Sequence, residues 1–301
     1  MPTAYNASAY PLAAPTVAGS NITVSMMLDQ PTRITRYLSD LPLRNFVSPL
    51  FFSNPGGVSG GGVIYDQLTL NDLFATRDAQ TVEPGAEFPI LNGETPTPSW
   101  AGVEKDGGKF FVTDEARDRN DQGTIQREGR KTLNTIVRKL DAKAMAALNA
   151  AVAAFPSQTV AGHSWSTVVT GGSSQTNNSG WPAADLAAAQ SLADQQELGV
   201  VLDTLVVNPI QRASLVTIYG PSFMSVLEAS GISHFQSSNR VPAGTAFMTE
   251  FQQAGEQRFE KPLSTETWRE QATQRTWVQS DVRAVRYVTN PLSVVKLTGL
   301  A

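Results

Sequence analysis

TDEARDRNDQGTIQREGRKTLNTIVRKLDAKAMAALNAAVAAF, Thr113 to Phe155, is the stretch on which the architecture turns. Thr113 offers the hydroxyl of a helix cap, and Asp114 and Glu115 stand in the first turn, where the helix dipole favours negative charge. Apolar or small residues at Ile125, Gly129, Leu133, Ile136, Val137, Leu140, Ala144, Ala147, Leu148, Ala151, Val152 and Phe155 then step by three and four, which defines one buried face. A helix from Asp121 to Ala154 would run roughly 50 Å at 1.5 Å per residue. That is longer than a compact domain of this size needs.

The same region carries Arg117, Arg119, Arg127, Arg130, Lys131, Arg138, Lys139 and Lys143 against Asp118, Asp121, Glu128 and Asp141. The simplest reading is a solvated helix face with spaced ion pairs. A surface facing nucleic acid is the sharper alternative. Asp114, Asp118 and Asp121 could converge on a metal, but acidic residues at a helix start are ordinary.

Upstream, PGGVSGGG (Pro55–Gly62) reads as a flexible joint, with Gly56, Gly57, Gly60, Gly61 and Gly62 as the hinge. A phosphate loop would need a strand before it and a lysine or helix after it, and neither is present. Val63, Tyr65, Leu68 and Leu70, then Trp100, Val103, Phe110 and Val112, flank a polar middle punctuated by Pro84, Gly85, Pro89, Gly93, Pro96 and Pro98. This pattern reads as a long protruding hairpin, which is marginal alone and needs a partner surface. Arg77, Glu83, Glu87 and Trp100 are its candidate assembly contacts. Between Leu28 and Phe52, Pro31, Pro42 and Pro49 interrupt any long helix, so an extended course over another surface is expected. The first 28 residues carry no charge and lack the basic and apolar regions of a secretion signal, so they read as an arm.

Downstream, residues 144 to 184 contain no Asp, Glu, Lys or Arg, and Ser157–Gly180 has loop composition. His163 beside Ser164 could be imagined as a base and nucleophile, but neighbours in sequence rarely face each other and no orienting acid stands nearby in the chain. Helices are predicted from Pro182 to about Leu198, from Pro209 to Tyr219 and from Ser222 to Ala229, with strands at Leu202–Asn208 and Thr245–Thr249. Two strand-like runs close the chain, Thr276–Val288 and Val294–Leu297, with Arg269, Arg275, Arg283 and Arg286 on or beside them.

Composition narrows the functional classes. The 301 residues contain no Cys and 2 His, which removes disulfides, thiolate nucleophiles and cysteine-based metal sites and leaves little imidazole for catalysis. The net charge of −4 gives no global sign of nucleic-acid binding. No apolar run reaches the 18 residues of a membrane span. No enzyme, cofactor or metal site is expected.

VEPGAEFPI (Val82–Ile90), KDGGKFFVTDEARD (Lys105–Asp118), KLDAKAMAALN (Lys139–Asn149), DTLVVNPIQ (Asp203–Gln211) and VRYVTNPLSVVKLTG (Val285–Gly299), in that order, resemble the major capsid proteins of tailed bacteriophages. The resemblance implies an α+β fold of the Hong Kong 97 type. Its parts would be an N-terminal arm (1–59), an extended β-hairpin loop (60–111), a peripheral domain with a long spine helix (112–181 and 257–301) and an axial α/β domain (182–256). It further implies homo-hexamers and homo-pentamers closing an icosahedral shell around double-stranded DNA, held non-specifically. Portal and scaffolding or decoration proteins would be partners, the host bacterial cytoplasm the place of assembly, and the virion the destination. An encapsulin-like compartment shell is the alternative within the same fold. Some members of the family cross-link subunits through a loop lysine, but no lysine precedes Lys105 here, so a non-covalent shell is expected.

Overall fold

The computed structural model describes residues 24–39, 46–75, 77–91 and 97–301. In chain order the helices and strands begin with α1 (Val24–Asp29), α2 (Pro31–Ser39), α3 (Ser48–Phe51), β1 (Phe52–Ser53), β2 (Gly62–Tyr65), α4 (Leu70–Leu73), β3 (Ser99–Gly102) and β4 (Glu104–Thr113). They continue with α5 (Asp114–Asp118), α6 (Gln122–Ala154), β5 (Thr159–Ala161), α7 (Pro182–Gln195), β6 (Thr204–Val207), α8 (Pro209–Tyr219) and α9 (Phe223–Ala229). The last elements are β7 (His234–Ser237), β8 (Ala246–Thr249), β9 (Gly255–Glu270), β10 (Arg275–Tyr287) and β11 (Val294–Thr298).

The 33-residue α6 is the predicted spine. Thr113 caps α5 by accepting from Ala116 N, and Asp121 caps α6 by accepting from Gly123 N, so two consecutive caps turn the chain from β4 into the long helix. The helix spans two cores. Ile125, Leu133, Ile136 and Leu140 pack with Phe110, Val112, Val278 and Val282, whereas Ala144, Met145, Leu148 and Val152 pack with Phe51, Phe52, Phe247 and Val294. Its length therefore has an internal use, since it joins the two sheets.

One sheet has the order β1-β9-β10-β4, with β9 and β10 antiparallel and β4 antiparallel to β10 in the register Arg275↔Thr113 to Ala284↔Glu104. Alternation in Lys109-Phe110-Phe111-Val112 sends Phe110 and Val112 to α6 and leaves Lys109 and Phe111 on the opposite face. The other sheet has the order β5-β11-β8-β6-β7. Its inner strands Thr204–Val207 and Ala246–Thr249 are buried at every position, because helices cover one face and the α6 core covers the other. Against it Leu186, Ala189 and Ala193 of α7, Leu215 of α8 and Leu227 of α9 form a third core with Trp165.

Four expectations change. The Leu28–Phe52 stretch is not extended where it is described: α1, α2 and α3 are short helices, with Pro31 opening α2 and Pro49 in the first turn of α3, where a missing N–H costs no hydrogen bond. Pro42 lies outside the described residues. The long hairpin is a ladder of only four pairs, Gly62↔Gly102 to Tyr65↔Ser99, and Glu104–Phe111 leave it to pair with β10. The final strand β11, expected with β10 in the peripheral domain, pairs with β8 and β5 in the five-stranded sheet while Val294 still packs on the spine helix. The 16-residue β9 was not foreseen at all. No helix among the described residues is long and apolar enough to cross a membrane.

Candidate functional site

Among the described residues, the hairpin from β2 to β3 carries the most exposed large apolar side chains. In the cross-strand pair Ile64↔Trp100 the side chains are 74% and 69% exposed. Beyond the ladder Phe88 is 78% exposed and Ile90 73%, and Leu91 and Phe74 are also exposed. An isolated exposed apolar residue is unremarkable, but a set of this size along one protrusion marks a contact surface. Arg77, Glu83 and Glu87 lie on the same segment and are exposed, so the structure places all four assembly candidates on it.

Local chemistry shapes this loop. Glu83-Pro84-Gly85-Ala86 closes a turn in which Ala86 N donates to Glu83 O at 3.0 Å, with Pro84 at the second position and Gly85 at φ +89° in the third, the residue order a type II turn requires. Thr69 and Asp72 form a capping box around α4. The Trp100 indole folds back over the Gly62–Gly102 pair, where a Cβ on either glycine would stand 2.7–2.8 Å from the ring. Gly62 is thus required for close approach and takes a strand conformation. Gly56, Gly60 and Gly61 have positive φ, while Gly57 is bridged to Phe259 at the sheet edge. Ser59, at the centre of a Gly-x-Ser-x-Gly spacing (Gly57–Gly61), has no helix after it, so the strand-to-helix turn of an activated serine is not formed.

The loop base is tied to the sheet. Tyr65 stacks on Tyr287 with ring centroids 4.7 Å apart, and Leu68 N donates to Thr289 O at 2.7 Å. The Tyr287 hydroxyl donates to Glu256, whose carboxylate also pairs with Arg258 at 2.7 Å. Burial, reinforced by that carboxylate, pushes the Tyr287 hydroxyl up to about 12.

Most of the charged candidates serve structure. Asp114 pairs with Arg117 and Arg269, Asp118 pairs with Arg117, and Asp121 caps α6, so the three acids do different tasks. Arg275 pairs with Glu270, Arg283 with Glu260, and the buried Arg286 with Glu104 at 3.9 Å. Hydrogen bonds from Arg275, Trp277 and Thr273 hold Glu270 down at about 2. His163 does have an orienting acid, contrary to expectation: Asp185 of α7 accepts from its backbone N–H at 3.0 Å and meets Nδ1 at 2.8 Å. The same buried carboxylate accepts from Trp165 Nε1 at 2.7 Å, while Ser164 Oγ turns to Ser166 Oγ, so histidine and serine form no dyad.

Asp141, read from sequence as part of a solvated face, is 3% exposed. It caps α3 from the middle of α6, accepting from Val47 N at 3.0 Å and Ser48 N at 2.8 Å. Burial raises its carboxyl from 3.8 to about 6, against the opposing pull of the Ser48 and Val47 N–H groups and of Arg240 and Arg286. The folded state then holds a proton that the unfolded chain releases, so stability falls as pH rises from about 4 to about 6, by about 3 kcal/mol. Urea unfolding of Asp141→Asn should be flat across that interval. An equal slope in both proteins would remove this assignment.

A family model described as "Phage capsid protein" matches residues 96–297. A comparison with curated proteins gives no match. Among solved structures, one of Mycobacterium phage Bobi aligns with a TM-score of 0.59 at 12% identity, covering 85% of this chain and 91% of that one. The capsid of Myoviridae phage XM1 aligns at 0.54 and 14% identity, covering 84% and 90%. A virus-like particle from Pyrococcus furiosus aligns at 0.55 and 12% identity, covering 84% and 92%. At these identities the likeness is one of fold, the Hong Kong 97 type.

Proposed function

The chain belongs to the phage capsid protein family, and from that premise we propose that it is the major capsid subunit, assembling as hexamers and pentamers into an icosahedral head shell around double-stranded DNA. The observation that carries this reading is the loop bearing Ile64, Phe88, Ile90 and Trp100, whose apolar surface finds no cover among the described residues. A second copy supplies that cover, and closed symmetry supplies it to every copy at once. Within the subunit, the proposed arm is 1–59, the extended loop 60–111, the peripheral domain 112–181 with 257–301, and the axial domain 182–256. Portal and scaffolding or decoration proteins are the further partners of such a shell.

Electron microscopy of the protein, expressed alone and with its neighbouring genes, tests the proposal together with an assay of nuclease-protected DNA. Closed shells with protected duplex are expected. Shells filled with protein cargo would favour the compartment reading, which the Pyrococcus furiosus particle supports, and a persistent monomer would end both.

Gly60 and Gly61 are the proposed hinge, at φ +90° and +79°. Proline fixes φ near −65°, so Gly60→Pro with Gly61→Pro should block shell formation while leaving a soluble subunit. Normal shells from that variant would overturn the hinge. The loop segment 77–94 carries no lysine, so mature particles should dissolve to a single band on a denaturing gel, and a ladder of multimers would contradict the non-covalent shell.

A further inference from the structure

A groove of about 460 Å³ runs between β4 and α6, lined by Asp106–Lys109 on the strand and by Lys131, Thr132, Thr135, Ile136 and Lys139 on the helix. We propose that this groove binds the phosphodiester backbone of duplex DNA, through the ammonium groups of Lys131 and Lys139 and the free edge of β4. The proposal rests on the shell reading for its ligand, since that shell encloses a genome.

Three features make the groove an anion site. Lys131, Thr135 and Lys139 are spaced by four residues and are all exposed, so they stand in one row, with the lysines about 12 Å apart along the axis. The row meets an end strand: β4 pairs only with β10, and no strand among the described residues takes its other edge, which leaves N–H donors at alternate positions. Gly107 lets β4 lie close on β10, where a Cβ would strike Ser280 O at 2.7 Å, and Gly108 leaves room against α6, where one would stand 3.1 Å from Thr132 Cγ2.

The charge balance is one-sided. The single acid in the lining, Asp106, is already engaged by Lys143 at 2.6 and 2.8 Å. Lys109 lies over the Trp277 ring at 4.4 Å, Lys131 meets Glu128 at 2.9 Å on the exposed surface, and Lys139 has no ion-pair partner among the described residues. Elsewhere along the basic stretch Arg117 pairs with Asp114 and Asp118, Arg127 with Glu128, and Lys143 with Asp106 and Glu104. The acidic loop segment of a second copy, with Glu83 and Glu87, is the rival occupant, but it does not match the repeating charge that a row of lysines fits.

Fluorescence anisotropy of a random-sequence duplex, read across a salt series, tests the site on the full chain. Lys131→Gln/Lys139→Gln, which leaves β4 untouched, should lower affinity about tenfold or more and flatten the log–log salt slope by about 1.8, or 0.9 per lost phosphate contact. The charge-matched control Arg33→Gln/Arg212→Gln should keep the slope. Equal losses in control and groove variants, or no duplex binding by the unmodified chain, would overturn the site. So would a groove variant that binds duplex normally but fails to form shells, which would assign the groove to a second copy. Duplex binding is read on the subunit, so failure of the shell reading, seen as no particles from any variant, is a separate result.

Discussion

Gly255→Ala should lower the stability of the subunit by about 3 kcal/mol, the upper range for forcing an extra methyl into a packed site. A Cβ built on Gly255 stands 2.2 Å from Tyr287 O and 2.8 Å from Val288 Cα. Both are backbone atoms, so no side chain can rotate away. Relief requires β9 to lift from β10 where β1 also joins it, through Phe52↔Gly255. The shift would reach Tyr287, which positions the loop through Tyr65. The argument is steric, because Gly255 is not among the residues with positive φ. At about 2–4 °C per kcal/mol for a chain of this size or somewhat smaller, the midpoint of thermal unfolding should drop by about 6–12 °C. Gly171→Ala, where the added Cβ meets nothing within 4 Å, should move it by under about 2 °C. A Gly255→Ala midpoint within 2 °C of the parent would show that the strands separate there at little cost.

That glycine was invisible in the sequence for the same reason that β9 was. The spine helix could be read because its signals are local: two caps and an apolar repeat lie within one stretch. In β9 the buried positions Gln257, Phe259, Leu263 and Thr265 keep a period of two, but only two of the four are apolar, Lys261 and Pro262 interrupt the run, and the pairing with β10 shifts between Ser264↔Asp281 and Phe259↔Ala284. Its inward face is also partly polar: Thr265 meets Ser280 at 3.0 Å, and Ser48 donates to Gln257. Hydrophobic patterning cannot register a core in which hydroxyls and amides satisfy each other. Asp141 was misread through distance, since the N–H groups it caps lie 93 and 94 residues away. Asp185, 22 residues from His163, was missed for the same cause. The loop candidates were legible because exposure follows from composition: prolines and glycines between acids leave little to bury, and Arg77, Glu83, Glu87 and Trp100 are exposed.

Phe88→Ser combined with Ile90→Ser should abolish shell formation at concentrations where the parent assembles fully. Among the described residues both side chains are largely uncovered, at 78% and 73% exposed, so the substitutions remove almost nothing from the folded subunit and its unfolding should stay within about 0.5 kcal/mol of the parent. Burying an exposed phenylalanine or isoleucine at a subunit contact contributes about 1.5–3 kcal/mol each. Losing both weakens each contact by about 3–6 kcal/mol, or a factor of roughly 100 to 10,000 in its association constant at 1.4 kcal/mol per decade. A closed shell multiplies that penalty over every copy, because each subunit both gives a loop and receives one. Sedimentation across a concentration series measures the threshold, and it should rise at least a hundredfold while thermal unfolding of the subunit is unchanged. Glu83→Gln with Glu87→Gln, on the same segment, tests charge in place of apolar area. As rim charges in water they should move the threshold by only a few-fold and more at low salt than at high. Parent-like assembly by the Phe88/Ile90 variant would mean that these residues face solvent in the shell, and would transfer the contact to the Ile64–Trp100 pair at the loop base.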